Sequence, residues 1–294
     1  MNIFSTVNPT YVKMRVVYKE KETSINKINI EIPKSIYFGG AACSVIYYVG
    51  VIEQMKLKWG NDFYKKTIIC GGSAGSFIGL LLSIGMSAKQ MVQDIHKIGS
   101  LMIENPTYWS GHDYYICCYL HAVCAQDELL YKKIEHRYRV YLTEFFDKTT
   151  YYDSWSSNDD LIACIKGSVN VPLYCSYAEP YKGVHFVDGA YGMDHLSLPH
   201  GNQTLFVGIN QPMAEIRRFI PIYKLMIPNI DDEFVENYRN GQNDFGQWNG
   251  IYTEKQNRKP NVPALVFCWC GKMLQIVYFF FSKKLNSSFL TKYS

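Results

Sequence analysis

The chain has 294 residues, 48% of them hydrophobic and 19% charged, a balance typical of a folded globular protein with room for one large core. Its 30 basic and 26 acidic residues give a formal net charge of +4, too small to indicate nucleic-acid binding. The nine cysteines lack the spacing of a disulfide framework, and the first residues lack the pattern of a secretory signal, so we expect a cytoplasmic protein.

Apolar periodicity and turn residues predict strands and helices that alternate through most of the chain. In chain order these are strands 11–18, 25–32 and 35–38, helix 41–58, strand 67–70, helices 74–84 and 88–98, a helical insertion or lid at 101–135, strand 138–143, helix 159–168, strands 172–177, 186–187 and 204–209, and a helical tail from 215 that includes helix 231–239. This alternation favours a mostly parallel sheet covered on both faces by helices. It suggests an N-terminal extension (1–34), a main domain (35–210) and a C-terminal helical extension (211–294).

The segment 67–84 is the most informative part of the chain. A short apolar run leads into Gly-Gly-Ser-Ala-Gly at 71–75, and a longer apolar run follows at once. This is the G-x-S-x-G pattern in its expected setting of buried strand, sharp turn and buried helix, which exposes the serine hydroxyl as a nucleophile. The dipole of the following helix favours negative charge near Ser73. Taken alone, these five residues also fit a glycine-rich turn that binds phosphate or merely packs.

Two further signals also follow predicted strands. Gly39 and Gly40 come directly after strand 35–38, and Asp188 follows another short strand. Because the carboxyl ends of parallel strands meet at one edge of a sheet, we expect these residues and Ser73 to share one site. There the backbone N–H groups after the first strand would form an oxyanion hole, and Asp188 would accept the proton of the Ser73 hydroxyl.

Together the three signals resemble those of the patatin-like phospholipase family. The resemblance covers about residues 35–201 and rests on Phe-Gly-Gly-Ala-Ala-Cys-Ser-Val-Ile-Tyr-Tyr-Val-Gly-Val at 38–51, Gly-Gly-Ser-Ala-Gly at 71–75 and Val-Asp-Gly-Ala at 187–190. It implies an α/β/α sandwich with a mostly parallel sheet, and a catalytic dyad of Ser73 and Asp188 that needs no metal or cofactor. The implied reaction is hydrolysis of glycerophospholipid or acylglycerol esters through an acyl-serine intermediate. The other site residues are the oxyanion-hole residues Gly39, Gly40, Ala41 and Ala42 and the motif glycines Gly71, Gly72, Gly75 and Gly189.

The chain departs from the first motif of the family, which usually has three glycines followed, one residue later, by a basic residue. Here Ala41 and Ala42 follow Gly40, and Ser44 replaces the basic residue. Backbone N–H donors survive these changes where φ stays negative, whereas an alanine at positive φ would be strained by about 1–2 kcal/mol. Three functions therefore stay open: an acyl hydrolase, an acyltransferase that uses the same dyad, and a non-catalytic lipid- or membrane-binding protein.

Two histidines offer an alternative to the dyad. His195 and His200 follow Asp188 in the order serine, aspartate, histidine that α/β-hydrolases use. The short gaps leave little chain to bring a separate histidine loop to Ser73, so the dyad is preferred to a triad.

The stretch 262–281 has about the length of a membrane span, but Lys272 and Gln275 lie near its middle. It fits two elements packed on the domain, an interfacial segment with Lys283 and Lys284 towards anionic headgroups, or a tail anchor. The first interpretation is slightly favoured. We expect a lipid substrate at a membrane surface, with 262–284 as the candidate contact.

Overall fold

The computed structural model of the protein describes residues 30–104, 112–144, 149–172, 174–175, 180–191, 198–252 and residue 270. They form a mixed α/β fold around one six-stranded sheet. The strands are β1 (Ser35–Phe38), β2 (Ile68–Gly72), β3 (Tyr138–Thr143), β4 (Thr149–Tyr152), β5 (Thr204–Ile209) and β6 (Ile216–Arg218). The helices are α1 (Ile46–Trp59), α2 (Ala74–Ser83), α3 (Ala88–Glu104), α4 (His112–Cys124), α5 (Leu130–Ile134), α6 (Asn158–Ser168), α7 (Ile222–Leu225) and α8 (Asp232–Gln247). Short 3-10 helices cover Ala42–Val45, Phe63–Lys66 and Gly201–Gln203.

The strands lie in the order β4-β3-β2-β1-β5-β6. Every neighbouring pair is parallel except β3 and β4, which are antiparallel. The predicted α/β class with a mostly parallel sheet is therefore confirmed. The chain passes from β1 towards β2 and β3 on one side and reaches β5 and β6 on the other. In open parallel sheets, sites form beyond the carboxyl ends of the strands where the order reverses, which here is at β1.

Both faces of the central strands are buried, as their nearly continuous apolar sequences require. One face packs with the helices in the main core, to which the sheet contributes Ile36, Phe38, Ile69, Val140, Leu142, Leu205 and Val207. The opposite face carries a smaller aromatic cluster of Tyr37, Cys70, Tyr141 and Phe206, with Leu198 and Ala214 packed on it. The ring of Tyr37 stands edge-on to those of Tyr141 and Phe206, at centroid distances of 5.5 and 5.0 Å.

Helices α1 and α8 cross at two glycines. A Cβ at Gly50 would lie 2.0 Å from the carbonyl oxygen of Tyr238, and one at Gly241 would lie 2.0 Å from that of Tyr47. The missing side chains allow the two backbones to approach closely, and the Tyr238 hydroxyl also bonds to Glu53 Oε2 at 2.5 Å. Through this contact α8 becomes part of the helical layer on the sheet.

The structure corrects the predicted strand at 172–177. Its described residues form a turn, because the N–H groups of Tyr174 and Cys175 both donate to the carbonyl of Val171. The strand predicted at 186–187 is reduced to a single antiparallel bridge between Val187 and Thr143.

Two strands were not predicted. The tail from 215 begins with β6 and becomes helical only afterwards, and β4 is a partly exposed edge strand that pairs with β3. The described residues of the predicted insertion at 101–135 include the end of α3, all of α4 and α5, and a turn at 125–129 between the last two.

Other predictions lie outside the described residues: strand 11–18, most of strand 25–32, and the stretch 262–281 apart from Cys270. Among the helices that can be described, none is both long enough and apolar enough to cross a bilayer.

Candidate active site

Ser73 occupies the turn between β2 and α2. Its φ of +56° and ψ of −137° lie outside the conformations that L-residues favour, so the backbone is strained where the strand gives way to the helix. A Cβ at Gly71 would lie 2.2 Å from the Gly75 carbonyl oxygen, and one at Gly75 would lie 2.0 Å from that of Phe38. No side chain fits at either position without moving the backbone, which explains both outer glycines of the motif.

Ser73 and Asp188, which are 115 positions apart in the chain, are joined by a hydrogen bond. The Ser73 hydroxyl donates to Asp188 Oδ2 at an oxygen–oxygen distance of 2.5 Å. The other carboxylate oxygen, Oδ1, accepts the N–H of Ala190 at 2.9 Å. Thr143, at the end of β3, donates from its hydroxyl to the main-chain carbonyl of Asp188 at 3.0 Å. The structure therefore brings the predicted nucleophile and the predicted base together, with Oδ2 directed at the serine.

Ser168, the last residue of α6, links the two motifs. Its hydroxyl accepts the Ser73 N–H at 3.0 Å and donates to the Tyr141 carbonyl at 2.7 Å. Its own carbonyl accepts the N–H of Gly189 at 2.8 Å. Ser168 was not predicted as a site residue, because a serine near the end of a predicted helix gives no signal of contacts so far away in the chain.

The remaining motif glycines allow close backbone packing: Gly72 lets the serine loop pack on the aspartate loop, and Gly189 lets the aspartate loop pack on β3. A Cβ at Gly72 would lie 2.8 Å from the carbonyl oxygen of Gly189. A Cβ at Gly189 would lie 2.0 Å from that of Tyr141. Both positions therefore exclude a side chain for steric reasons, and the close packing fixes the distance between the serine loop and the aspartate loop.

Burial sets the electrostatics of the carboxylate. Asp188 is only 2% exposed, and desolvation raises its pKa from the usual 3.8 to about 6. The hydrogen bonds from Ser73 and from the Ala190 N–H act in the opposite direction, because they stabilise the charged form. The result is a carboxylate that is ionised near neutral pH but more basic than an exposed aspartate.

The first glycine loop lies against this pair. A Cβ at Gly40 would lie 3.8 Å from Ser73 Oγ and 2.8 Å from the Cβ of Ala190. The hydroxyl of Tyr48 donates to the Gly40 carbonyl at 3.1 Å and holds the loop from the side of α1. The glycine loop, the serine turn and the aspartate loop are therefore adjacent, as predicted. The aspartate loop, however, follows a single antiparallel bridge and not the end of a parallel strand.

The predicted oxyanion donors differ in what they can offer. The N–H of Gly39 donates to the Val207 carbonyl at 3.0 Å, so it is engaged in the sheet and does not supply the donor expected of it. Hydrogen bonds from the N–H groups of Gly40, Ala41 and Ala42 are absent from the described part of the chain. These three groups, beside Ser73, are the candidate donors.

The two alanines that replace the glycines of the family motif adopt different conformations. Ala41 has a φ of −141°, which any residue can adopt. Ala42 has a φ of +45°, in the left-handed region that glycine adopts freely and alanine only with strain. The strain anticipated from the sequence is therefore present at Ala42 and not at Ala41.

An apolar cavity opens beside the dyad. Its lining comes from the glycine loop, from helices α2, α3, α4 and α8, from the turn after α6 and from the segment between α7 and α8. The lining residues are Ala42, Cys43, Val45, Ser73, Ala74, Phe77, Ile95, Ile98, Gly99, Met102, Asp113, Ile116, Val169, Val171, Tyr174, Cys175, Pro228, Asn229 and Phe234. Ser73 and Ala42 thus face a cavity formed largely by hydrocarbon, which suits an acyl chain better than a polar ligand.

The structure does not support His200 as a third catalytic residue. Its Nδ1 lies 2.9 Å from the hydroxyl of Ser35, the first residue of β1. Ser73 follows the carboxyl end of β2, which runs parallel to β1. Ser73 and His200 therefore lie at opposite ends of these two strands. His195, the other candidate, lies outside the described residues.

Comparison with known proteins adds only remote similarities. Neither a family model nor a curated protein matches this chain. Its structure is similar to the crystal structure of VipD from Legionella pneumophila, with 13% identity over 61% of this chain and 50% of that chain and a TM-score of 0.37. It is also similar to the type III effector protein ExoU, with 11% identity over 89% of this chain and 63% of that chain and a TM-score of 0.42. The matched part is thus half of VipD and less than two thirds of ExoU, and at these TM-scores neither similarity bears on what this chain does.

Proposed function

We propose that this chain is a serine lipid acyl hydrolase of the patatin-like kind that its motifs resemble, acting on glycerophospholipid or acylglycerol esters. The observation that carries the proposal is the 2.5 Å hydrogen bond from Ser73 to the buried Asp188, beside an apolar cavity. A hydroxyl bonded to a carboxylate of raised pKa is the arrangement of a nucleophile and its general base.

Acylation begins with attack of Ser73 Oγ on the ester carbonyl carbon while Asp188 Oδ2 takes the hydroxyl proton. The carbonyl oxygen becomes an oxyanion, which the N–H groups of Gly40, Ala41 and Ala42 stabilise together with the amino end of α2. One such donor typically contributes about 3–4 kcal/mol to the transition state of an acyl transfer. When the oxyanion collapses, the bond to the alcohol oxygen breaks. That oxygen receives the proton from Asp188, and the acyl group remains on Ser73.

Deacylation repeats these steps with water. Asp188 takes a proton from a water molecule, whose oxygen attacks the acyl carbon. The bond to Ser73 Oγ then breaks, the serine recovers its proton from Asp188, and the fatty acid leaves. Asp188 thus serves as base and acid in turn, for which a pKa of about 6 is better matched to neutral pH than the usual 3.8.

Two alternatives use the same site. In an acyltransferase, an alcohol would replace water in the second step, and the residues would keep their roles. In a non-catalytic lipid- or membrane-binding protein, the cavity would hold a lipid without cleaving it. The contact between Ser73 and Asp188 favours the enzymes, because binding a lipid does not require a buried carboxylate beside a hydroxyl.

A fluorophosphonate probe tests the proposal. We expect the probe to label the wild-type chain and to fail with Ser73→Ala. Ser83→Ala is the matched control, because Ser83 is a buried serine at the other end of α2. Within the described residues its hydroxyl bonds to its own helix, at the Gly79 carbonyl. If the wild type and Ser83→Ala are not labelled, the proposal is wrong and the lipid-binding alternative is left. Analysis of products in the presence of an acceptor alcohol separates hydrolysis from transfer.

A further inference from the structure

A group of exposed apolar side chains follows β6. Phe219, Ile222, Tyr223 and Ile227 are 79%, 73%, 66% and 52% exposed. We call residues 219–227, which include α7, the apolar segment. Single exposed apolar residues are common on soluble proteins, but a cluster of large ones marks a surface that contacts a membrane or another protein.

The backbone of the apolar segment is anchored at both ends. The side chain of Asn210 donates to the Ile220 carbonyl at 2.6 Å and accepts the Ile220 N–H at 2.8 Å. At the other end, the Tyr174 hydroxyl donates to the Met226 carbonyl at 2.5 Å. The exposed side chains therefore project from a backbone that is fixed to the rest of the protein.

The apolar segment is also close to the candidate active site. Pro228 and Asn229, which follow it directly, line the cavity that contains Ser73. On α3, the exposed Ile103 is next to Met102, another lining residue. Exposed apolar residues are therefore next to cavity-lining residues in two separate parts of the chain.

Charges of both signs lie around the apolar segment, with Glu215 just before residues 216–230 and Asp231, Asp232 and Glu233 just after them. Residues 216–230 contain Arg217, Arg218 and Lys224 but no aspartate or glutamate. Arg218 is paired with Asp244, and Lys224 with Glu233. The exposed Arg217 donates to a backbone carbonyl and forms no ion pair within the described residues. A basic group beside exposed apolar side chains is complementary to anionic headgroups above a hydrocarbon layer.

We propose that the apolar segment inserts its side chains into the interface of a bilayer that contains anionic phospholipid. This inference rests on the proposed function for the identity of its partner, because an enzyme that cleaves lipid esters must take them from a bilayer. Docking through the apolar segment would bring the Ser73 cavity next to the lipid, so that an acyl chain passes from one apolar environment to another. The contact differs from the one expected at 262–284.

Vesicle binding tests the proposal independently of catalysis. The full chain carrying Ser73→Ala serves as the parent, so that vesicles are not degraded, and binding is measured by flotation with phosphatidylcholine vesicles containing phosphatidylserine. Adding Phe219→Ser and Ile222→Ser should weaken binding about tenfold, because two exposed apolar groups no longer leave water. The matched control is Leu57→Ser on α1. Leu57 is another exposed apolar residue (63% exposed), and its replacement should change binding less than about twofold. Leu57 lies roughly 18 Å along the helix from Val45 of the cavity lining, at 1.5 Å per residue.

Two further measurements test the contribution of charge to vesicle binding and the effect of binding on lipid cleavage. Arg217→Gln should weaken binding to vesicles with phosphatidylserine about threefold to fivefold and leave the weaker binding to pure phosphatidylcholine unchanged. In the chain with Ser73 intact, the Phe219→Ser, Ile222→Ser variant should cleave a soluble short-chain ester like wild type but cleave vesicle phospholipid more slowly.

The proposal is overturned if the parent does not bind vesicles, or if the double variant binds as the parent does. It is also overturned if the parent is a dimer that the double variant converts to a monomer, since the apolar segment would then join two copies of the chain. A third outcome separates the two proposals. If the fluorophosphonate probe does not label the chain but vesicle binding still depends on the apolar segment, the proposed hydrolase is refuted and this inference stands.

Discussion

Replacing Asp188 by asparagine should lower activity and raise stability at the same time. Burial raises the pKa of this carboxyl from 3.8 to about 6, so ionisation costs the folded state more than the unfolded state. The shift is roughly two units at 1.36 kcal/mol each, or about 3 kcal/mol. Because the folded pKa is the higher one, the stabilising contribution of Asp188 is fully present below about pH 4 and is lost as the pH rises through about 6.

The variant Asp188→Asn carries no such cost. Asparagine has nearly the same shape, and its amide oxygen can still accept a hydrogen bond from Ser73 or from the Ala190 N–H. At about pH 7.5 we expect its free energy of unfolding to exceed that of wild type by about 1–3 kcal/mol, and at about pH 4 we expect the two to be similar. Urea denaturation of both proteins at these two pH values measures the difference.

Asp127, a carboxylate whose pKa is lowered instead of raised, provides the control. A hydrogen bond from Lys133 lowers the pKa of the half-buried Asp127, so its stabilising contribution is present above its unfolded pKa and is lost on acidification. Asp127→Asn should therefore bring no gain in stability at neutral pH. If Asp188→Asn also brings none, the carboxylate is not desolvated as the structure indicates, and the argument from its raised pKa is wrong.

The activity of wild type should follow the same titration. The ionised fraction of Asp188 rises from about one tenth at pH 5 to about nine tenths at pH 7, so kcat/KM for a soluble ester should increase about tenfold over this range. Asp188→Asn should reduce kcat/KM at least about a hundredfold. Near-normal turnover of this variant would reject the dyad.

Three predictions concern the strain and packing of the backbone, and each is tested by the change in the free energy of unfolding. Ser73→Gly should be more stable than Ser73→Ala by about 1 kcal/mol, because only glycine adopts φ +56° without strain, and equal stability of the two would show that the turn is relaxed. Ala42→Gly should stabilise the protein by about 1 kcal/mol, because it relieves the strain at φ +45°. Ala41→Gly should destabilise it, because φ −141° suits alanine. Changes of the same sign would show that the strain is not confined to Ala42. Gly50→Ala should destabilise by about 1–3 kcal/mol, because the new Cβ would lie 2.0 Å from a carbonyl of α8. Gly246→Ala should be neutral or stabilising by up to about 1 kcal/mol, because among the described residues its Cβ would meet nothing within 4 Å beyond its own helix.

The central strands were predictable because their signals are local. β1, β3 and β5 match their predicted ranges, since each is a nearly continuous apolar run bounded by turn residues. β4 and β6 lack such a signal. β4 is the partly exposed run Thr-Thr-Tyr-Tyr, and it becomes a strand because β3 offers it a free edge for pairing. A pattern of residues along the chain does not report that edge.

The candidate site divides in the same way. Ser73 and Asp188 were found from short motifs. The parallel strands explain why Ser73 lies beside the glycine loop, whereas the aspartate loop follows a single antiparallel bridge and is held by Thr143 and Ser168. The contribution of Ser168 comes from three contacts with residues far away in the chain, and no local pattern encodes them. The loss of Gly39 as a donor follows from strand pairing with β5, which fixes where β1 ends and the free N–H groups begin.

Three unfavourable features meet at this one site, and their combination supports an enzyme over a lipid-binding protein. Ser73 and Ala42 have strained backbones, and Asp188 is a buried carboxylate. Each feature costs about 1–3 kcal/mol, against a typical total stability of about 5–15 kcal/mol. A cavity that only holds a lipid needs apolar walls, which the helices supply without any of these costs. The strain is accounted for if the hydroxyl must stand free at the turn, the carboxylate must be basic at neutral pH, and a backbone N–H must face the reacting carbonyl.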